Sequence, residues 1–289
     1  MTSTPWLSAA PWTSHRKRFS LVRLYELVPS HLQEIILGSL VSDRVLIPRI
    51  LGVSGGIRYT LTCTNTGNQK FLSKSQQAQG VKQPTLACYV THETQADTHA
   101  GDLYRGCSAD CIYNPHTAEY DPAYPCYAAN AYNDRRSLAS HLKSVMREQT
   151  TGDARYLSVT RLNHHGVKLF SRQAVFGESL LREMLPYAAF QVLLGELWGC
   201  PATRYTAEWR NPHAQPFRRF YQASCQSLAA AKEAQSLGWS VFFSSPNPND
   251  RQAFGRGIYH CPNQKNPEIT CPICPVGCNG TRSVYAKFH

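Results

Sequence analysis

Acidic side chains are scarce in this chain. Its 289 residues hold 19 Asp and Glu against 30 Lys and Arg, a formal net charge of +11. That balance favours a polyanionic partner, nucleic acid above all. The alternative is a generally basic surface with no such partner. Long apolar runs are missing too. No stretch approaches the roughly 18–20 residues of a membrane span, so no membrane association is expected. The first 18 residues carry Pro5, Trp6, Pro11, Trp12 and a basic run from His15 to Arg18, without the apolar core of a secretory leader. The sequence has no Gly-x-Gly-x-x-Gly, no Walker loop and no Gly-x-Ser-x-Gly elbow, which excludes nucleotide and hydrolase folds built on those turns. It has no internal repeat.

Cysteine is plentiful by contrast. Eleven is an odd count, so disulfides cannot pair them all. With no leader, the chain reads as cytoplasmic, in a host cell's cytoplasm if a phage encodes it. Clustered thiols in that setting more often hold metal or do redox work than form bridges. The 42% of hydrophobic residues is enough for a core, in one large domain or two small ones.

The densest cluster is at the C-terminal end. Cys261, Cys271, Cys274 and Cys278 fall within eighteen residues, separated by prolines and glycines. Such residues break helices and strands and leave tight turns. Cys271-x2-Cys274 has chelate spacing, and Cys261 and Cys278 complete a four-thiolate set for zinc or an iron–sulfur cluster. Two disulfides, or free thiols, are the alternatives. A second group, Cys107-x3-Cys111 with Cys126, supplies three thiolates and leaves one coordination position open, as a catalytic [4Fe–4S] cluster or zinc needs. Asp110 or His116 is an alternative fourth zinc ligand, and three unrelated cysteines in loops are the other alternative.

Between these groups the chain alternates strand and helix. Leu21, Leu24, Leu27, Val28, Leu32, Ile35, Ile36 and Leu40 predict amphipathic helices over 20–40, interrupted near Pro29, with Ser30 capping the second. Residues 45–53 suit an edge strand, 57–63 and 86–91 strands, and 65–82 a loop. A helix is expected over 135–149 and a strand over 156–162. Residues 167–176 are mixed, 179–184 suit a short helix, and 190–197 are apolar and ambiguous. Strands are expected over 205–209, 220–225 and 239–244, with a helix over 228–237 ended by Gly238. The last strand–helix–strand unit is the clearest local pattern. Such units imply parallel strands with helices outside, hence an α/β fold, barrel-like or a partial (β/α) barrel. The expected organisation is an N-terminal tail and helical region (1–53), an α/β domain (54–260) with a cysteine-rich insertion at 107–126, and a metal-binding segment (261–289).

These motifs together resemble a family of cysteine-rich proteins carried by phages, plasmids and related mobile elements. The resemblance spans about residues 100–289. It rests on Cys107-x3-Cys111, Cys126-Tyr-Ala, the segment from Gln222 to Trp239, Cys261-Pro262, Thr270-Cys271-x2-Cys274 with Cys278, and the end from Arg282-Ser283 to Phe288-His289. The Cys-Tyr-Ala pattern is similar to that of phage proteins distantly like radical S-adenosylmethionine enzymes. That likeness implies a partial barrel, a three-cysteine [4Fe–4S] cluster and S-adenosylmethionine as cofactor. The spacing departs from theirs, with Asn114 where their third cysteine stands. A second analogy, to transglycosylases that exchange a base on nucleic acid, rests on a barrel-like fold and a zinc site near the C-terminus.

Three further groups have chemistry to offer. Glu178, Glu196 and Glu208 fall near predicted strand ends, where barrel active sites lie; Glu208 and Glu178 are the candidates for general base, with an exposed or Arg-paired role as the alternative. His164-His165 suits a metal or catalytic pair, or a solvated turn. Arg210, Arg218 and Arg219, interleaved with Trp209, Phe217 and Tyr221, suit phosphate contact and base stacking, or equally a plain surface loop. The expected function is a metal- or iron–sulfur-dependent enzyme that modifies nucleic acid or a nucleotide-derived substrate. The rivals are a zinc-stabilised DNA- or RNA-binding protein without catalysis, a transglycosylase-like enzyme with structural zinc, and a thiol-based redox or metal sensor.

Overall fold

The computed structural model describes residues 15–48, 50–54, 57–66, 72–81, 83–92, 156–161, 170–173, 182–245, 247 and 249–287. Elements are numbered among these. Helices α1 (His15–Leu27) and α2 (Ser30–Val41) meet at Pro29, as the periodicity predicts. Leu21, Leu24, Val28, Leu32 and Ile36 are buried on the shared stripe. Pro29 itself stands at the cap position of α2. No side chain caps that helix, so Ser30 opens it without serving as its cap.

Both helices pack on α4 (Leu185–Leu197). Ala188, Ala189, Phe190, Val192, Leu193 and Leu194 of α4 are all fully buried. A helix that is apolar on every side has no polar face to reveal its period, which is why 190–197 read as ambiguous.

The described strands form one two-stranded sheet and two five-stranded sheets. The first five-stranded sheet has the order β2 (Ile50–Ser54), β3 (Ile57–Thr66), β4 (Gln83–His92), β6 (Phe170–Gln173), β7 (Ala202–Thr203). Its β3–β4 pair is antiparallel over ten residues a side, and the β4–β6 and β6–β7 pairs are parallel. β1 (Arg44–Pro48) instead pairs with β5 (Tyr156–Thr160). The single strand expected over 45–53 is therefore two strands in two sheets. The loop expected over 65–82 contains α3 (Lys74–Ala78), started by a capping box between Ser73 and Gln76.

The second sheet has the order β11 (Ile258–His260), β12 (Ser283–Lys287), β10 (Val241–Ser245), β9 (Gln222–Cys225), β8 (Tyr205–Thr206), and every pair is parallel. Among the described residues no strand joins β8 to β11. The strand–helix–strand unit stands as read: β9, α5 (Leu228–Ser236), β10. Ser227 caps α5, and Gly238, at φ +82, ends its last turn. Ala230, Ala231 and Ala234 bury the inner side of α5 against β9 and β10. α6 (Asp250–Phe254) covers the same face, with Phe254 6.0 Å from Phe243. The strand expected over 205–209 stops at Thr206. Glu208–Arg210 is a 3-10 turn, begun by a hydrogen bond from the Glu208 amide to the Thr206 hydroxyl at 3.0 Å. The last strand, β12, lies inside the sheet between β10 and β11, so the segment carrying the four cysteines is bracketed by two sheet strands.

Candidate metal centre

Strand alternation puts Val241, Phe243 and Tyr285 on the helix-covered face of the parallel sheet and Tyr205, Phe242, Val284 and Ala286 on the other. The segment between β11 and β12 crosses that other face. Cys261 is the first residue after β11, and its amide donates to the Tyr285 carbonyl at 2.7 Å. α7 (Pro262–Lys265) follows. Its Gln264 clamps the Lys287 backbone, donating to the carbonyl at 3.0 Å and accepting from the amide at 2.7 Å. Asn263 Nδ2 donates to the Ile269 carbonyl at 3.1 Å and shapes the return loop. The Ser75 hydroxyl, on α3, holds the Glu268 carboxylate at 2.8 Å.

Cys271–Ile273 is a 3-10 turn begun by Pro272 at its second position, and the Cys274 amide closes back onto the Cys271 carbonyl at 3.3 Å. Gly277, at φ +67, allows the next turn. Cys278 is then fastened to the first sheet: its carbonyl accepts from the Arg204 amide at 2.8 Å, beside a bridge to Thr203. The spacing of cysteines with Pro and Gly therefore does in the fold what it suggests in sequence, turning the chain sharply after each thiol.

Cys261, Cys271, Cys274 and Cys278 all line one pocket that opens to solvent. Its floor is Tyr205, Phe242, Val284 and Ala286. The donors are soft thiols on an apolar floor, a chemistry that suits zinc or iron–sulfur ligation. Burial pushes the Cys278 thiol up to about 12. A hydrogen bond from Tyr205 opposes that rise, and negative charge on Cys271, Cys261 and Cys274 adds to it. Cys278 thus senses charge on the other three thiols. Their sulfurs are not gathered into a shell: among the described residues no three His, Cys, Asp or Glu side chains stand together as a metal ion requires. Cys200 and Cys225, both buried, lie outside this pocket.

Glu208 stands just past the C-terminal end of β8, on the edge where barrel-type sites form. Burial raises its carboxyl above the ordinary 4.5, while a hydrogen bond from Asn211 Nδ2 and the charge of His213 pull it back. Glu196 is ion-paired at 3.4 Å with Arg204, a fully buried guanidinium. Arg210 is also committed. Its Nε and Nη2 donate to the two Glu233 oxygens at 3.0 and 2.8 Å, and its guanidinium lies 4.1 Å from the Trp209 ring. Arg218 and Arg219 are exposed. Glu178, Cys107, Cys111, Cys126, Asp110, His116, His164 and His165 lie outside the described residues.

No family model, curated protein or solved structure matches the chain. The site rests on its own geometry. Sequence reasoning missed Tyr205, whose hydroxyl reaches Cys278 from 73 positions away, and the Asn211 and His213 neighbours of Glu208. A polar residue one or two turns past a strand-end carboxylate was the available signal for Asn211; Tyr205 had none. No helix among the described residues is long and apolar enough to cross a membrane.

Proposed function

We propose that Cys261, Cys271, Cys274 and Cys278 form a thiolate metal centre. The chain carrying it is a metal- or iron–sulfur-dependent protein that modifies nucleic acid or a nucleotide-derived substrate in the cytoplasm. The observation that carries the reading is the convergence of four cysteines on one pocket over the parallel sheet. Protonated thiols have no reason to draw together. Ligation removes their protons and supplies the free energy that closes the shell. Pro272, Pro275 and Gly277 set the turns that bring the four thiols to one pocket.

Four protein thiolates fill a tetrahedral shell, so this centre is structural. Reaction chemistry then falls to Cys107, Cys111 and Cys126, whose three thiolates leave a position open for substrate or S-adenosylmethionine in a [4Fe–4S] cluster. The likeness to cysteine-rich phage and plasmid proteins supports that division, and five parallel strands with helices on one face suit a partial (β/α) barrel. Glu208, neutral to higher pH than an ordinary carboxylic acid, suits a general base or acid at the strand ends, with Glu178 as its companion.

The second reading is a zinc-stabilised nucleic-acid-binding protein without catalysis, or a transglycosylase-like enzyme. It is favoured by the closed, all-cysteine donor set. Anaerobic purification with metal and acid-labile sulfide analysis separates the two. Iron and sulfide lost on Cys126→Ser support the first reading. Zinc alone, unaffected by Cys126→Ser, supports the second. A metal-free chain refutes both.

A further inference from the structure

All five strands of the second sheet are parallel, so all five begin on one edge, and arginines collect there. Arg218 and Arg219 precede β9, Arg256 precedes β11, and Arg282 immediately precedes β12; all four are exposed. The register sets Gly257 level with Arg282 and sets Arg282 beside the residue before Val241. A hydrogen bond of 2.6 Å from Gln222 Nε2 to the Arg282 carbonyl ties the start of β9 to the start of β12. Gly280 rests against the Arg219–Phe220 backbone, which brings Arg219 and Arg282 to the same part of the edge.

From β11 to β9 is three strand spacings, roughly 14 Å at 4.7–4.9 Å each. A stacked strand at 3.4 Å per nucleotide places about four phosphates in that length. The acids associated with neighbouring arginines are committed: Glu196 to Arg204, and Glu233 to Arg210. Among the described residues none is ion-paired with Arg218, Arg219, Arg256 or Arg282; Arg282 Nη1 donates to the Pro275 carbonyl at 3.0 Å, a neutral acceptor that leaves the positive charge uncompensated. Beside them Tyr259 of β11 leaves 48% of its surface in water, with the Arg282 guanidinium 5.5 Å from its ring centre. A row of cations tracking a backbone, with an exposed ring for a base face, is the arrangement that takes single strands. A duplex keeps its bases stacked and offers nothing to that ring.

We infer that this strand-start edge is a docking surface for single-stranded nucleic acid, with Arg219, Arg256 and Arg282 taking phosphates and Tyr259 stacking a base. The inference rests on the nucleic-acid reading above and changes its residues. Arg256, Arg282 and Tyr259 enter, and Arg210, held by Glu233, leaves.

The test is fluorescence anisotropy of the full chain with a fluorescein-labelled 20-nucleotide oligothymidine across a salt series. Arg219→Ala/Arg256→Ala is compared with Lys74→Ala/Lys232→Ala, which removes the same charge elsewhere. The edge variant is expected to bind at least about tenfold more weakly at low salt and to lose about 1.4 from the log–log salt slope, two phosphate contacts at about 0.7 each. Tyr259→Ala is expected to lose roughly tenfold, and Tyr259→Phe to keep its affinity. Equal losses in the edge and control variants would overturn the inference and leave the nucleic-acid reading standing. So would an unlabelled blunt duplex that competes as well as the single strand. A wild-type chain that binds the duplex but no single strand at low salt overturns the inference alone, and one that binds neither overturns the nucleic-acid reading as well. Circular dichroism of each variant checks that these exposed substitutions leave the fold intact.

Discussion

Replacing Gly280 by alanine challenges the docking of the cysteine segment most directly. Gly280 has φ +81, and a Cβ there would stand 2.6 Å from the Arg219 carbonyl carbon and the Phe220 nitrogen, and 2.8 Å from the Tyr221 nitrogen. These are backbone atoms of a turn fixed by bonds from the Phe220 and Tyr221 amides to the Phe217 carbonyl at 2.8 and 3.0 Å. No side-chain rotation relieves the clash. The left-handed backbone costs an L-residue about 1–2 kcal/mol, and overpacking adds about 1–3 kcal/mol, so Gly280→Ala is expected to lose about 2–5 kcal/mol. Gly199→Ala is the control. Its φ is +63, but its Cβ meets nothing within 4 Å, so it carries only the first cost. Urea unfolding followed by tryptophan fluorescence reads the difference, since Trp209 and Trp239 are buried in this half of the molecule. A gap of about 1–3 kcal/mol between the variants is the contact. If the two agree within about 0.5 kcal/mol, Gly280 does not rest on the 219–221 turn and the docking described here is wrong.

Three other outcomes follow. The folded-state pKa of Glu208 is raised, so the folded chain holds its proton longer than the unfolded chain; stability falls as pH rises from the ordinary 4.5 through the raised value, and Glu208→Gln should flatten that part of a stability–pH profile. Glu196→Ala takes an ion-pair partner from the fully buried Arg204 guanidinium and should destabilise by about 1–3 kcal/mol in urea, more than an Arg204→Met/Glu196→Leu double replacement does. Arg210→Ala should cost little oligothymidine affinity in the anisotropy assay, because Glu233 already neutralises that charge.

Local patterns survived into the fold where they were self-sufficient. The α1–α2 stripe, the Ser227–Gly238 helix and its two flanking strands depend on neighbours a few residues apart, and the sequence shows them. The cysteine turns do as well, since Pro and Gly fix them locally. Most of what failed depends on distant partners, the end of β8 being a local exception. Residues 205–209 alternate like a strand, yet β8 stops at Thr206, because the Thr206 hydroxyl captures the Glu208 amide and starts a 3-10 turn. Residues 45–53 read as one strand because nothing local says that β1 will find β5 more than a hundred positions later. Arg210 looked available for phosphate until α5 brought Glu233 to it. The arginine edge was invisible for the same reason: Arg219, Arg256 and Arg282 become neighbours only through the parallel order of β9, β11 and β12.

The most direct measurement is zinc, iron and acid-labile sulfide per chain, after anaerobic purification, for the wild type and for Cys271→Ser/Cys274→Ser. Cys200→Ser/Cys225→Ser, two thiols outside the pocket, is the control. A four-thiolate centre predicts that the first variant loses one zinc, or one cluster's iron and sulfide, and that the control retains it. A wild type free of metal, or a metal content unchanged when Cys271 and Cys274 are lost, would contradict it.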